Sequence, residues 1–134
     1  MTREIKFRGK TLSGGFVYGD LLHYTNPFEG DKVNNGCIIV AEYKSDKDNS
    51  FKIVDPETVG QFTGLLDKNG KEIWEHDIVD WDGVMLVVEF VDGGFCMHEN
   101  YEGATLHDLF FERNEINVIG NVFDNPEQLK TEEL

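Results

Sequence analysis

Basic residues are scarce in this chain. Twelve Lys and Arg stand against 26 Asp and Glu in 134 residues, a formal net charge of −14. Contact with a nucleic-acid backbone or an anionic membrane needs clustered cations, and the densest basic stretch is only Arg3, Lys6, Arg8 and Lys10. The sequence therefore argues against direct nucleic-acid binding and against membrane docking. Long hydrophobic runs are also missing, and no uncharged apolar stretch approaches the ~20 residues of a membrane helix. No signal-like leader follows Met1, because Thr2-Arg3-Glu4 runs straight into a strand pattern. Cysteine is limited to Cys37 and Cys96, in separate segments, so no disulfide scaffold is expected. Together these absences predict a protein of the cytoplasm with free thiols. Disorder along the whole chain is excluded by ten Phe, four Tyr and two Trp, which supply large core side chains. The simplest reading of the acidity is solubility; a negative surface that faces a partner is the functional one.

What the chain does have is closely spaced turn signals: Ser13-Gly14-Gly15, Asn34-Asn35-Gly36, Asn69-Gly70, Asp82-Gly83 and Asp92-Gly93-Gly94. Between them lie short stretches rich in β-branched and aromatic residues, the spacing of an all-β sandwich or barrel. Strands are predicted at 4–8, 16–22, 37–41, 51–54, 61–65, 77–81, 84–90, 95–98 and 115–122. Val84, Leu86, Val88 and Phe90 alternate onto one sheet face, and Met85 and Val87 make the other face apolar as well. Asn69-Gly70 is a favoured pair for a type I′ turn, whose central residues both take positive φ. It predicts a tight hairpin between 64–67 and 71–74. Helix is confined to a single turn at 58–61 after Pro56, weak helical spacing at 104–111, and a short terminal helix from Pro126 with Asn125 as its cap, fraying over 131–134. Segments 25–35 and 42–50 read as mobile loops. With no repeat and no linker, one domain is expected over 1–134. It is mainly β, a small barrel or sandwich of short antiparallel strands with a short C-terminal helix.

Chemistry-bearing patterns are sparse. His23, His76, His98 and His107 are the histidines, and Cys96-x-His98 is the one close pair. A structural zinc site needs four ligands, and no CxxC, HxH or HExxH accompanies the pair. It reads as a core cysteine beside a half-exposed histidine, and no metal or cofactor is expected. Asp80 and Asp82 share a strand face beside Asp77, an arrangement that suits magnesium-assisted phosphoryl transfer, although Asp82-Gly83 reads first as a turn. Nuclease assays on Asp80→Asn and Asp82→Asn separate the two. No GxSxG or phosphate loop is present, so no catalytic residue is assigned. Arg8 is predicted to form a partly buried ion pair with Asp20 and Asp77 that ties the N-terminal strand to the barrel; a ligand-binding arginine is the alternative. Trp74 and Trp81 are aromatic surplus beyond what the core holds, and with Arg8 they are the candidates for partner contact.

Three segments carry a resemblance. Ile5-Lys6-Phe7-Arg8-Gly9-Lys10 with Phe16-Val17-Tyr18-Gly19-Asp20 opens the chain. Val54-Asp55-Pro56-Glu57-Thr58-Val59-Gly60-Gln61-Phe62-Thr63-Gly64-Leu65 with Asp67-Lys68-Asn69-Gly70-Lys71-Glu72-Ile73-Trp74-Glu75-His76-Asp77-Ile78-Val79 forms its centre. Asn117-Val118-Ile119-Gly120-Asn121-Val122-Phe123-Asp124-Asn125-Pro126-Glu127 closes it. In this order, over nearly the whole chain, they resemble the YopX-like proteins of bacteriophages and prophages. His76 departs from the pattern, which commonly has Gly before Asp. The resemblance implies a largely β, phage-derived protein of the bacterial cytoplasm that self-associates, and it transfers no catalytic or ligand residue. The order Asp77-Ile78-Val79, Val88-Glu89-Phe90, Asp92-Gly93-Gly94-Phe95 also resembles a small SH3-like barrel in the C-terminal half, an analogy of fold alone. The expected function is a non-enzymatic accessory protein, an oligomeric binding module whose partners are its own copies and a host or phage protein. Two alternatives stand beside it. One is an acidic decoy of a host DNA-binding protein, tested by a salt-dependent pull-down; the other is the metal-dependent phosphoryl-transfer enzyme.

Overall fold

A computed structural model describes residues 4–26, 34–42 and 50–129, with backbone alone at 24–26, 34–35, 37, 40–42 and 50. The centres of the two expected loops, 27–33 and 43–49, and the expected frayed end at 131–134 lie outside the described residues. The chain divides into two compact units, Met1–Gln61 and Phe62–Leu134. Both are built from antiparallel strands, and among the described residues no helix is long and apolar enough to cross a membrane.

The first unit contains β1 (Phe7–Lys10), β2 (Phe16–Asn26), β3 (Asn34–Glu42) and β4 (Ser50–Val54), ordered β4-β3-β2-β1. Gly60 and Gln61, the first residues of β5 (Gly60–Leu66), pair with the far side of β1. Strand alternation sends Phe7, Val17, Leu21, Ile39 and Val54 to one face, where Ile39 and Val54 centre a small core that also takes Val59. The sheet curls around this core. The Asp55 amide donates to the Lys10 carbonyl at 2.8 Å, and the Lys10 amide donates to Thr58 Oγ1 at 2.8 Å. Gly9 lies so close to Val54 that an added Cβ would stand 2.9 Å from the valine Cβ. The predicted helical turn after Pro56 forms as a 3-10 turn at Pro56–Thr58, with the Asp55 carboxylate accepting from the Glu57 amide at 3.1 Å. It starts at proline because a ring-locked φ is ready for the first helical position, and this leaves Gly60 and Gln61 free for β5.

In the second unit the remainder of β5 pairs with β6 (Glu72–Trp74). A separate five-stranded sheet has the order β10-β9-β8-β7-β11. Its strands are β7 (Asp77–Trp81), β8 (Val84–Val91), β9 (Gly94–His98), β10 (His107–Asp108) and β11 (Ile116–Asn121). The weak spacing at 104–111 resolves into β10 followed by one helical turn, α1 (Leu109–Glu112), begun by the Asp108 carboxylate accepting from the Phe111 amide at 3.2 Å. Ile73, Val79, Leu86, Val88, Met97, Leu109 and Ile116 form a core with no solvent exposure. Ile78 and Val87, on the opposite face of the same strands, are buried as well, as the double apolar pattern predicts. Both sheets keep open ends, so the closed-barrel form of the prediction is not realised. The short C-terminal helix is a 3-10 turn, Pro126–Leu129.

The turns refine the expectation. Asn69 is not among the residues with positive φ, so Asn69-Gly70 does not form a type I′ turn. Instead Asp67 opens the loop: its carbonyl accepts from the Gly70 amide at 3.0 Å, and its amide donates to the Lys71 carbonyl at 2.8 Å. Asp is favoured at the first position of such a turn. Type I′ geometry appears at Asp82-Gly83 (φ 51 and 90) and Asp92-Gly93 (φ 51 and 86), which join directly paired strand ends.

Candidate functional site

At one end of β7 the sheet opens into a groove of about 640 Å³ lined by Lys68, Trp81, Asp82, Val84, Asn114 and Glu115. This lies within the size range of small-ligand pockets. Trp81 ends the row of core-facing side chains that includes Val79, so its indole packs on the core at one end and reaches the groove at the other. Its strand neighbours are Val84 and Ile116. His107 meets the ring edge-on at 4.7 Å, and the indole Nε1–H donates to Glu115 Oε2 at 3.3 Å. Asp82 stands in the type I′ turn, which Asp80 braces by accepting from the Gly83 amide at 2.8 Å. Lys68 is held by its main chain, whose amide donates to the Ile116 carbonyl at 3.2 Å. The lining therefore carries an aromatic ring, two carboxylates, one amide and one ammonium group.

A second surface lies in the first unit. On the face of β2, β3 and β4 opposite the small core, Leu22, Ile38 and Ile53 stand directly across from one another. Leu22 is 52% and Ile53 59% exposed, and Phe51, next along the same face of β4, is 57% exposed. β4 is the outer strand of this row, paired among the described residues with β3 alone. Contiguous exposed apolar residues on an edge strand are unusual on a solitary chain.

The residues singled out by sequence fall in different places. Arg8 is only 6% exposed and lies on β1 opposite Tyr18, with its guanidinium 4.5 Å from the centre of the Phe16 ring. Asp20 is one diagonal step away on the same face of β2. Asp77 belongs to the second unit, where its buried Oδ2 accepts from the Trp74 amide at 2.7 Å. Trp74 is 4% exposed and packs on Phe62, ring centres 5.4 Å apart; it is a core residue, whereas Trp81 lines the groove. The Cys96-x-His98 pair lies on β9. Burial, with Glu89, Asp92 and Asp108 nearby, pushes the Cys96 thiol up, away from the reactive thiolate. His98 is held from both sides, Nε2 by Glu89 Oε2 at 2.8 Å and Nδ1 by the Glu99 carbonyl at 2.7 Å. Burial acts against its charged form, but the two acceptors outweigh it and hold the imidazole above its ordinary pKa. Among the described residues no group of three or more His, Cys, Asp or Glu is placed to hold a metal ion.

The family described as YopX protein matches residues 6–130, across both units. The chain belongs to the YopX family. Among solved structures, the crystal structure of protein EF1440 from Enterococcus faecalis is similar, with a TM-score of 0.57 and 24% identity over 96% of this chain and 100% of that one. The likeness shows a shared fold. None of the curated proteins matches the chain. His76, where the sequence resemblance leads one to expect Gly before Asp, stands in the left-handed region at φ 75. Its ring packs edge-on to Phe123 at 5.3 Å.

Sequence reasoning did not find Lys68, Asn114, Glu115, Leu22 or Ile53 as surface participants. Leu22 and Ile53 look like ordinary strand residues, and only sheet register shows that they share the outward face. Asn114 and Glu115 come 33 or more positions after Trp81, and no local pattern links them.

Proposed function

We propose that this YopX-family chain is a phage- or prophage-encoded accessory protein of the bacterial cytoplasm, a non-enzymatic binding module that self-associates. The observation that carries the reading is the apolar row Leu22–Ile38–Ile53 on the outer strands of the first unit, exposed at Leu22 and Ile53, half-buried at Ile38 and extended by exposed Phe51. Full burial of such a side chain is worth about 1.5–3 kcal/mol, so covering half-exposed ones yields about 1 kcal/mol each. Association costs at least several kcal/mol of rigid-body freedom, so this row by itself supports only weak self-association, nearer the millimolar than the micromolar range. The family's phage association supports the origin. Support for a non-catalytic role comes from the structural use of the titratable residues flagged by sequence: Asp77 and Asp80 secure main-chain amides, Asp82 forms a turn, and His98 is tied to Glu89.

Sedimentation equilibrium or static light scattering from micromolar to millimolar concentration tests this. Wild type should show mass above that of one chain, and Ile53→Lys should raise the dissociation constant about tenfold or more. A strictly monomeric wild type sinks the self-association reading.

A further inference from the structure

We propose that the Trp81 groove is a docking site for an arginine side chain of a protein partner. The inference deepens the binding-module reading and rests on it. A guanidinium is planar, permanently charged and weakly hydrated; it stacks on aromatic faces while its edges donate to carboxylates. The groove brings those complements together. Trp81 supplies the indole, and Glu115 is fixed at the indole edge by the Nε1–H bond of 3.3 Å, which leaves its remaining lone pairs to accept. Asp82 adds a second carboxylate from a turn held by the Asp80–Gly83 bond, and Asn114 adds a neutral acceptor. His107 packs edge-on to the indole, so the ring is set before a ligand arrives, and a preset site avoids part of the cost of ordering.

Charge selects the ligand class. The lining holds two carboxylates against the single ammonium of Lys68, within a chain of net charge −14. A phosphate or carboxylate ligand would meet this excess unfavourably, whereas a cation is drawn to it. Lys68 opposes the proposed ligand, and it is anchored through its backbone amide, so its side chain can be neutralised without loosening the turn. That gives the proposal a sign that a merely sticky surface would not reproduce.

The test uses the full chain and its two indole N–H signals in NMR, one from Trp74 in the core and one from Trp81. The probe is the peptide acetyl-Gly-Arg-Gly-amide, and the control is its citrulline twin, which keeps the shape and loses the charge. The Trp81 signal should shift saturably with the arginine peptide while the Trp74 signal stays, and the citrulline peptide should bind about tenfold more weakly. Glu115→Gln should weaken arginine binding about fivefold to tenfold, and Lys68→Gln should strengthen it about twofold to threefold. Trp81→Phe should weaken it, with the Trp74 signal reporting that the fold survives. Equal binding of the two peptides, an unsaturable shift, or weaker binding in Lys68→Gln overturns the proposal. Self-association is read separately by light scattering on the same samples, so a monomer that binds arginine and an oligomer that does not are told apart.

Discussion

Asp67 shows how much one acidic side chain settles locally. It is 6% exposed, and its carboxylate accepts from the amides of Asn69, Lys71 and Val118, each at 2.9 Å. One group thus shapes the β5–β6 turn and ties it to β11. Burial alone would raise its pKa, but the three amides, with Lys71 nearby, reverse the sign and hold it below the ordinary carboxylate value. A lowered folded-state pKa contributes stability that is complete above the unfolded value of about 3.9 and is lost as pH falls through the folded one. Asp67→Asn should therefore cost about 2 kcal/mol at neutral pH, a gap that urea unfolding should see narrow as pH falls below the ordinary carboxylate value and through the lowered folded one. His98 has the opposite sign. Its raised pKa gives stability that is complete below about 6.5 and lost as pH rises through the folded value. Glu89→Gln should cost less than about 1 kcal/mol near pH 5.5, since the pair is partly exposed, and almost nothing near pH 9. A pH-independent loss would mean that packing, not charge, holds the pair.

At the scale of elements, two glycines do different work. Gly93 sits at φ 86 in the β8–β9 turn with nothing within 4 Å of an added Cβ, so its constraint is conformational. Gly9 is constrained by space, because Val54 occupies the place of its side chain. Gly93→Ala should cost about 1 kcal/mol, and Gly93→Asn less, since Asn tolerates the left-handed region. Gly9→Ala should cost about 1–3 kcal/mol through overpacking. A Val54→Ala background should soften the effect at Gly9 and leave that at Gly93 unchanged; thermal melts of the double variants check this. The β6–β7 turn accepts a non-glycine residue for a related reason. The left-handed conformation of His76 costs about 1–2 kcal/mol, and the ring contact with Phe123 returns about 0.5–1.5 kcal/mol of it.

For the whole molecule, the net charge of −14 sets two processes against each other. Copies of an acidic chain repel, so apolar self-association through the β4 face should strengthen as salt screens that repulsion. Arginine docking on Trp81, Asp82 and Glu115 should weaken under the same change. Sedimentation and peptide titration at about 0.05 M and about 0.5 M sodium chloride should move in opposite directions. Self-association that fades with salt would assign it to charged contacts rather than to the row at Leu22 and Ile53.

Local pattern alone determined the strand-built class of the protein, because alternation and turn residues act over a few positions: 77–81 was predicted to the residue, and the Asp82-Gly83 and Asp92-Gly93 turns stand where those pairs occur. The turn type at Asn69-Gly70 escaped that reading, because the three amides gathered by Asp67 include one 51 residues away at Val118. Placement of the tryptophans was equally non-local. Trp74 and Trp81 look alike in sequence, yet packing on Phe62 buries the first, while its place at the end of β7 beside Glu115 brings the second to a groove. Which side chains share a surface depends on register between distant strands. Period-two patterning says that a residue has a face, and only the folded sheet says what stands across from it.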